Sequence, residues 1–128
     1  MKRIIFSSVF ILVLMIGSFS CKKPAGSGGN SSLNGKIWVR KNLGAEQYAG
    51  YDEDVYIIYG DDIGFSDRTR AGYDGKYEFK YLRKGKYKIY AYSIDSTFST
   101  TAKQARIQEV EITDKKQAIE VPVIIINK

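Results

Sequence analysis

Between Lys76 and Ala91 the chain alternates apolar and polar side chains at every second residue. Tyr77 and Phe79 alternate with Lys76, Glu78 and Lys80, and after a break Tyr87, Ile89 and Ala91 alternate with Lys86, Lys88 and Tyr90. A period of two belongs to a half-buried strand, because successive strand side chains leave on opposite faces; a helix of 3.6 residues per turn would scatter them around its axis. The same period recurs in Gly35–Arg40, Asp54–Gly60, Phe65–Thr69, Ile107–Thr113 and Ala118–Ile126, and no segment of 33–128 sustains a helical period. In the last strand Ile119, Val121, Val123 and Ile125 are expected on one face, with Pro122 marking an edge. Asp74–Gly75 is a two-residue hairpin signal that would pair Phe65–Thr69 with the strand after it. Lys84–Gly85 makes the next turn, and Leu82 is expected inside with Tyr77 and Phe79. Seven short strands in 96 residues predict an all-β fold, a seven-stranded β-sandwich of the immunoglobulin-like kind.

The first residues are of another character. Lys2 and Arg3 precede an apolar run from Val9 to Ile16, followed by Gly17–Ser18–Phe19–Ser20 and the chain's single cysteine, Cys21. A charged start, a short apolar stretch and a small residue before the cut make a secretory signal peptide. A cysteine just after the cut resembles the lipobox of bacterial lipoproteins, whose thiol takes a diacylglyceryl group and becomes the new N-terminus. Ser18 and Phe19 depart from the residues usual at those two positions. An uncleaved anchor is the other reading, but a spanning helix needs about 20 apolar residues, and Ile4–Gly17 is shorter and interrupted by Ser7–Ser8. The organisation expected is a signal peptide at 1–20, acylated Cys21 with a flexible Gly/Ser tether to residue 32, and the β-sandwich at 33–128. By the same resemblance, Lys22 rather than Asp after the cysteine implies an outer-membrane lipoprotein, facing the periplasm in preference to the cell surface.

Composition narrows the chemistry. The chain has no histidine, which removes the commonest general base, the usual zinc ligand and any Ser–His or Cys–His nucleophile pair. No cofactor and no enzymatic activity are therefore expected. The net charge is +6, and loss of Lys2 and Arg3 with the signal peptide leaves +4. A domain outside the cytoplasm meets no genomic DNA, so this excess does not point to nucleic acid. Lys22 and Lys23 would instead favour anionic headgroups next to the lipid anchor.

Residues 69–93 read TRAGYDGKYEFKYLRKGKYKIYAYS. This resembles the signature shared by carboxypeptidase regulatory-like domains and the B-type repeats of collagen-binding adhesins, T…DGxYxFxxLxxGxYxIxAxS. The resemblance implies a transthyretin-like sandwich and a choice of roles, as spacer, stalk, adhesion module or glycan-associated lipoprotein. Adhesin repeats often carry a Lys–Asn isopeptide bond, for which Lys36 and Asn127 hold suggestive chain positions. The catalytic acid of that reaction, however, is replaced by Ala91.

Three constellations remain. Tyr90 and Tyr92 share the face opposite Tyr87 and Ile89, so they stand as a flat aromatic surface for a sugar ring or a protein partner, or as side chains covered by loops. Lys86 and Lys88, with Lys80, Arg83 and Lys84, form either an anion patch or the lysine fringe that protects sheet edges. Asp52, Asp54, Asp61 and Asp62 offer hard oxygens to Ca²⁺, or are turn residues bonding their own backbone. The expected function is a lipid-anchored envelope module that recognises a protein partner or a glycan, the alternative being a structural accessory or spacer of an envelope assembly without a small ligand.

Overall fold

The computed structural model describes residues 24–41, 44–94 and 102–128, and Cys21 with the predicted signal peptide lies outside them. Nine strands are present among the described residues, and no helix. They are β1 (Ser27–Arg40), β2 (Gln47–Ala49), β3 (Asp54–Tyr59), β4 (Asp67–Arg70), β5 (Lys76–Leu82), β6 (Gly85–Ile94), β7 (Lys103–Ile112), β8 (Ala118–Glu120) and β9 (Ile124–Asn127). The protein is an all-β sandwich of two sheets. In one, β1 carries β5 and β2 antiparallel on one edge and β8 and β9 parallel on the other. The second is wholly antiparallel, in the order β4-β3-β6-β7.

Alternation places the core as the sequence predicts. Leu33, Ile37 and Val39 of β1, Val55 and Ile57 of β3, Tyr77 and Phe79 of β5, and Tyr87, Ile89 and Ala91 of β6 are buried between the sheets. Leu82 joins them despite breaking the period of two. Tyr81 before it takes a positive φ of 59° and stays exposed, and the pairing of β1 with β5 slips there, so the next side chain turns inward.

Three expectations are corrected. The coil expected up to residue 32 is strand from Ser27, and Ser31 is buried, its hydroxyl donating to Asp114 O and accepting from Gln117 N. Hydrogen-bonding partners from β5 and from the Asp114–Gln117 turn hold these small residues in the sheet where composition alone reads as coil. Asp74–Gly75 does turn the chain, with Gly75 N donating to Gly72 O at 2.9 Å and Gly75 at φ 74°, but it links strands of different sheets. β4 pairs with β3 and β5 with β1. The last predicted strand is broken in two. Asn34 lies opposite Glu120 and Ile37 opposite Ile124, so the register slips by one residue around Pro122. A one-residue slip exchanges the faces, and Val121, Ile124 and Ile126 are buried while Val123 and Ile125 are exposed. Nor does the fold bring the two isopeptide candidates together, in keeping with the missing acid at Ala91: Lys36 lies opposite Lys76 while Asn127 lies opposite Arg40. Four residues of β1, about 13 Å of strand, keep the two apart.

Residues before β1 are seated too. The Tyr87 hydroxyl, at the start of β6, accepts from Gly26 N at 2.9 Å and lies 2.6 Å from Arg83 O and 3.2 Å from Gly26 O, to which it can donate. Arg83 donates from its backbone to Gly26 O and from Nε to Pro24 O, both at 2.8 Å. Ala25 packs on the core edge, where a Cβ on Gly85 would come within 2.5 Å of its own.

Candidate functional site

The outer face of the second sheet carries an aromatic platform. Register fixes it: Arg68 of β4 lies opposite Tyr56 of β3, Tyr56 opposite Tyr90 of β6, and Tyr90 opposite Ile107 of β7. Directly opposed residues share a face, with Cβ atoms about 5 Å apart, so these four make one row across the sheet. Tyr56 and Tyr90 stack with ring centroids 5.1 Å apart and planes 15° from parallel. Tyr92, two residues along β6, meets both edge-on at 5.5 Å. Phe65, from the loop between β3 and β4, meets Tyr56 edge-on at 5.1 Å.

Exposure divides the platform into floor and contacts. Tyr90 is only 8% exposed, whereas Tyr92 is 43%, Ile107 51% and Phe65 55%. Burial first, and then a hydrogen bond with Tyr92, push the Tyr90 phenol up to about 12, so it stays neutral at any ordinary pH. The surface is thus an uncharged floor with apolar and phenolic groups standing on it. At one margin Arg70 donates to Asp54 at 3.2 Å and to Asp52 at 3.4 Å, and both acids raise the guanidinium pKa. A second exposed pair, Tyr51 and Tyr73, stacks at 4.4 Å and 4° in neighbouring loops.

All four residues singled out in the sequence, Lys86, Lys88, Tyr90 and Tyr92, lie on this face of β6. The tyrosines fall into the platform, although Tyr90 is covered. The lysines do not make an anion patch: Lys86 lies opposite Glu111 and Lys88 opposite Glu109, so the four alternate in sign around a cleft of about 290 Å³ that also touches Gly60 and Asp61. Nor do the four aspartates meet. Asp52 and Asp54 stand at one end of β3 and are engaged by Arg70. Asp61 and Asp62 stand at the other end, about 20 Å away along the six-residue strand. Asp62 accepts from Ser66 Oγ at 2.9 Å. Among the described residues no group of three or more carboxylates or other metal ligands comes together.

Periodicity singles out Tyr90 and Tyr92 but not Phe65, Ile107 or Arg68. Phe65 was read as part of a strand and is a loop residue. Ile107 and Arg68 become neighbours of Tyr90 and Tyr56 only through cross-strand register, which periodicity within one strand does not contain.

No known protein-family model matches the chain, and no curated protein sequence does. Among solved structures it is similar to one described as "a putative carbohydrate binding protein" from Pseudomonas aeruginosa, with a TM-score of 0.50 and 12% identity over 81% of this chain and 92% of that one. At that identity the likeness concerns the fold.

Proposed function

We propose that the protein is a non-enzymatic carbohydrate-binding module of the cell envelope, anchored by lipid at Cys21, with the platform of Tyr56, Phe65, Tyr90 and Tyr92 as its glycan site. The platform itself carries this reading: three tyrosine rings in mutual contact on a regular sheet, with Phe65 of the adjoining loop against Tyr56, and with Tyr92 and Phe65 about half exposed. Rings of this kind offer rigid apolar area with polar tips, suited to the C–H faces of a sugar. The Arg70–Asp54 pair at the margin supplies donors and acceptors for hydroxyl groups. The similar fold of a protein described as carbohydrate-binding agrees with it.

The seated N-terminal residues would set how close the anchored domain sits to the membrane. With only Lys22 and Lys23 between Cys21 and Pro24, an acylated cysteine would hold the domain within about 10 Å of the lipid surface. The β5–β6 turn with Arg83 and Lys84 would face the membrane, while Tyr92 and the Asp54 end of β3 would point away from it. Loss of radiolabelled fatty acid from Cys21→Ala would test the anchor.

A glycan array, followed by calorimetry on its best ligand, tests the site. Tyr92→Ala should weaken binding about tenfold or more, the loss of roughly 1.4 kcal/mol or more expected when a contact aromatic is removed. The domain should stay folded with a stability loss of about 1–3 kcal/mol, from the two edge-on ring contacts of Tyr92. Failure of the array to find any glycan, or full binding by Tyr92→Ala, would remove the assignment.

A further inference from the structure

The second sheet ends on two unlike edges. β4 is four residues long and carries Arg68 and Arg70, a short charged strand of the sort that discourages further pairing. β7 is ten residues long, without glycine or proline, and pairs with β6 from Gly85 opposite Ile112 to Ile94 opposite Lys103 without a slip. In such a ladder every second residue of the outer strand turns its amide and carbonyl away from its partner. β7 is also polarised in charge: Lys103 and Arg106 stand in its first half, Glu109 and Glu111 in its second, and Ile107 between them is half exposed.

We propose that β7 docks antiparallel on β7 of a second copy of this chain, across a two-fold axis at Ile107, joining two four-stranded sheets into one. The sequence of the strand selects both the partner and the register. Directly opposed residues share a face, so a two-fold pair must be centred on a residue. Centring on Arg106 or on Glu109 sets like charges against each other. Centring on Gln108 leaves Lys103 facing Thr113, and Glu109 and Glu111 facing Ile107 and Ala105. The Ile107 centre alone sets Lys103 against Glu111 of the second copy at both ends, Ile107 against Ile107, and no like charges opposite. Opposed ion pairs and apolar pairs each favour a sheet by about 0.2–1 kcal/mol. Because cations lead and anions follow, an antiparallel copy is the strand that matches. The dimer would carry the row Arg68, Tyr56, Tyr90, Ile107 straight into its counterpart, making one strip from two protomers, apolar and aromatic along its middle and ending in Arg68 at each side.

Disulfide trapping in the full-length chain, expressed in membranes, tests this. In the proposed register the two Ile107 Cα atoms lie about 4.5–5.5 Å apart, within disulfide reach. Glu109 faces Ala105 instead, about 13 Å along the strand from its own copy. Ile107→Cys should give a reducible band of twice the monomer mass at least tenfold above the parent chain, which retains Cys21. Glu109→Cys alone should give no more than the parent, while Ala105→Cys with Glu109→Cys in one chain should cross-link. Lys103→Glu should reduce the Ile107→Cys dimer, and adding Glu111→Lys should restore it. An Ile107→Cys band no stronger than the parent's, an equal band from Glu109→Cys, or mass-spectrometric identification of a different polypeptide in the band would each overturn the proposal.

Discussion

Two tyrosines in the same core should respond in opposite directions to loss of a hydroxyl. Tyr87→Phe removes the acceptor for Gly26 N and the donor to Arg83 O. Gly26 is buried, so its amide would lose its partner away from water; a stranded buried donor costs about 1–3 kcal/mol. A net loss of about 2 kcal/mol follows, or roughly 8–16 °C in melting temperature for a domain of this size. Tyr77 is also buried, but its hydroxyl has no hydrogen-bond partner among the described residues and lies against Gly35, where a Cβ would meet it at 2.3 Å. Burial alone raises its pKa. Tyr77→Phe removes a polar atom that burial already penalises, and should be neutral or stabilising by about 1 kcal/mol. Urea and thermal unfolding followed by the fluorescence of Trp38, the chain's single tryptophan, would read both. A Tyr87→Phe protein as stable as the parent, or a Tyr77→Phe protein that loses 1 kcal/mol or more, would refute the reasoning.

Alkaline pH should destabilise the fold in a defined window. The phenol of Tyr90 stays protonated to about 12 when folded and ionises near 10 when unfolded. The unfolded chain therefore binds fewer protons between those values, and the stability fully present below pH 10 is lost as pH climbs towards 12. Denaturant midpoints against pH should show this fall, with a shallower slope in Tyr90→Phe; an equal slope would contradict it. Gly75→Ala should lose at least about 2 kcal/mol, because the residue holds φ 74° and a Cβ would stand 2.5 Å from Ile37 O; a circular-dichroism melt within a degree of the parent would refute that. Millimolar Ca²⁺ or EDTA should leave the melting temperature unchanged, since β3 separates the two aspartate pairs; a calcium-dependent rise would contradict the account.

Much of the architecture was legible because burial acts on single strands. Tyr77, Phe79, Tyr87, Ile89 and Ala91 declare their face by period alone, and the structure buries all five. What failed were features decided between strands. The Asp74–Gly75 turn looks the same locally whether its flanking strands pair or part into two sheets. The slip at Pro122 moves Ile124 inward and Val123 outward, and it is decided by pairing with β1, where Asn34 lies opposite Glu120 but Ile37 opposite Ile124 and Val121 N donates to Asn34 O at 2.7 Å. Ser27–Ser32 reads as linker by composition, but β5 and the Asp114–Gln117 turn supply the partners that make it strand. The site followed the same division. Tyr90 and Tyr92 share a face by period, while Arg68, Phe65 and Ile107 join them through register and loop placement. Lys86 and Lys88 gain their acidic neighbours the same way, across the ladder to β7.

The proposed glycan site is the outer face of the second sheet. Backbone amide shifts recorded by NMR during titration with the best array glycan test it most directly. Saturable changes should be confined to Tyr56, Phe65, Arg68, Tyr90, Tyr92 and their strand neighbours. Changes centred instead on the opposite sheet, in the cleft of about 620 Å³ lined by Lys36, Lys76 and Glu120, or no saturable change, would contradict it.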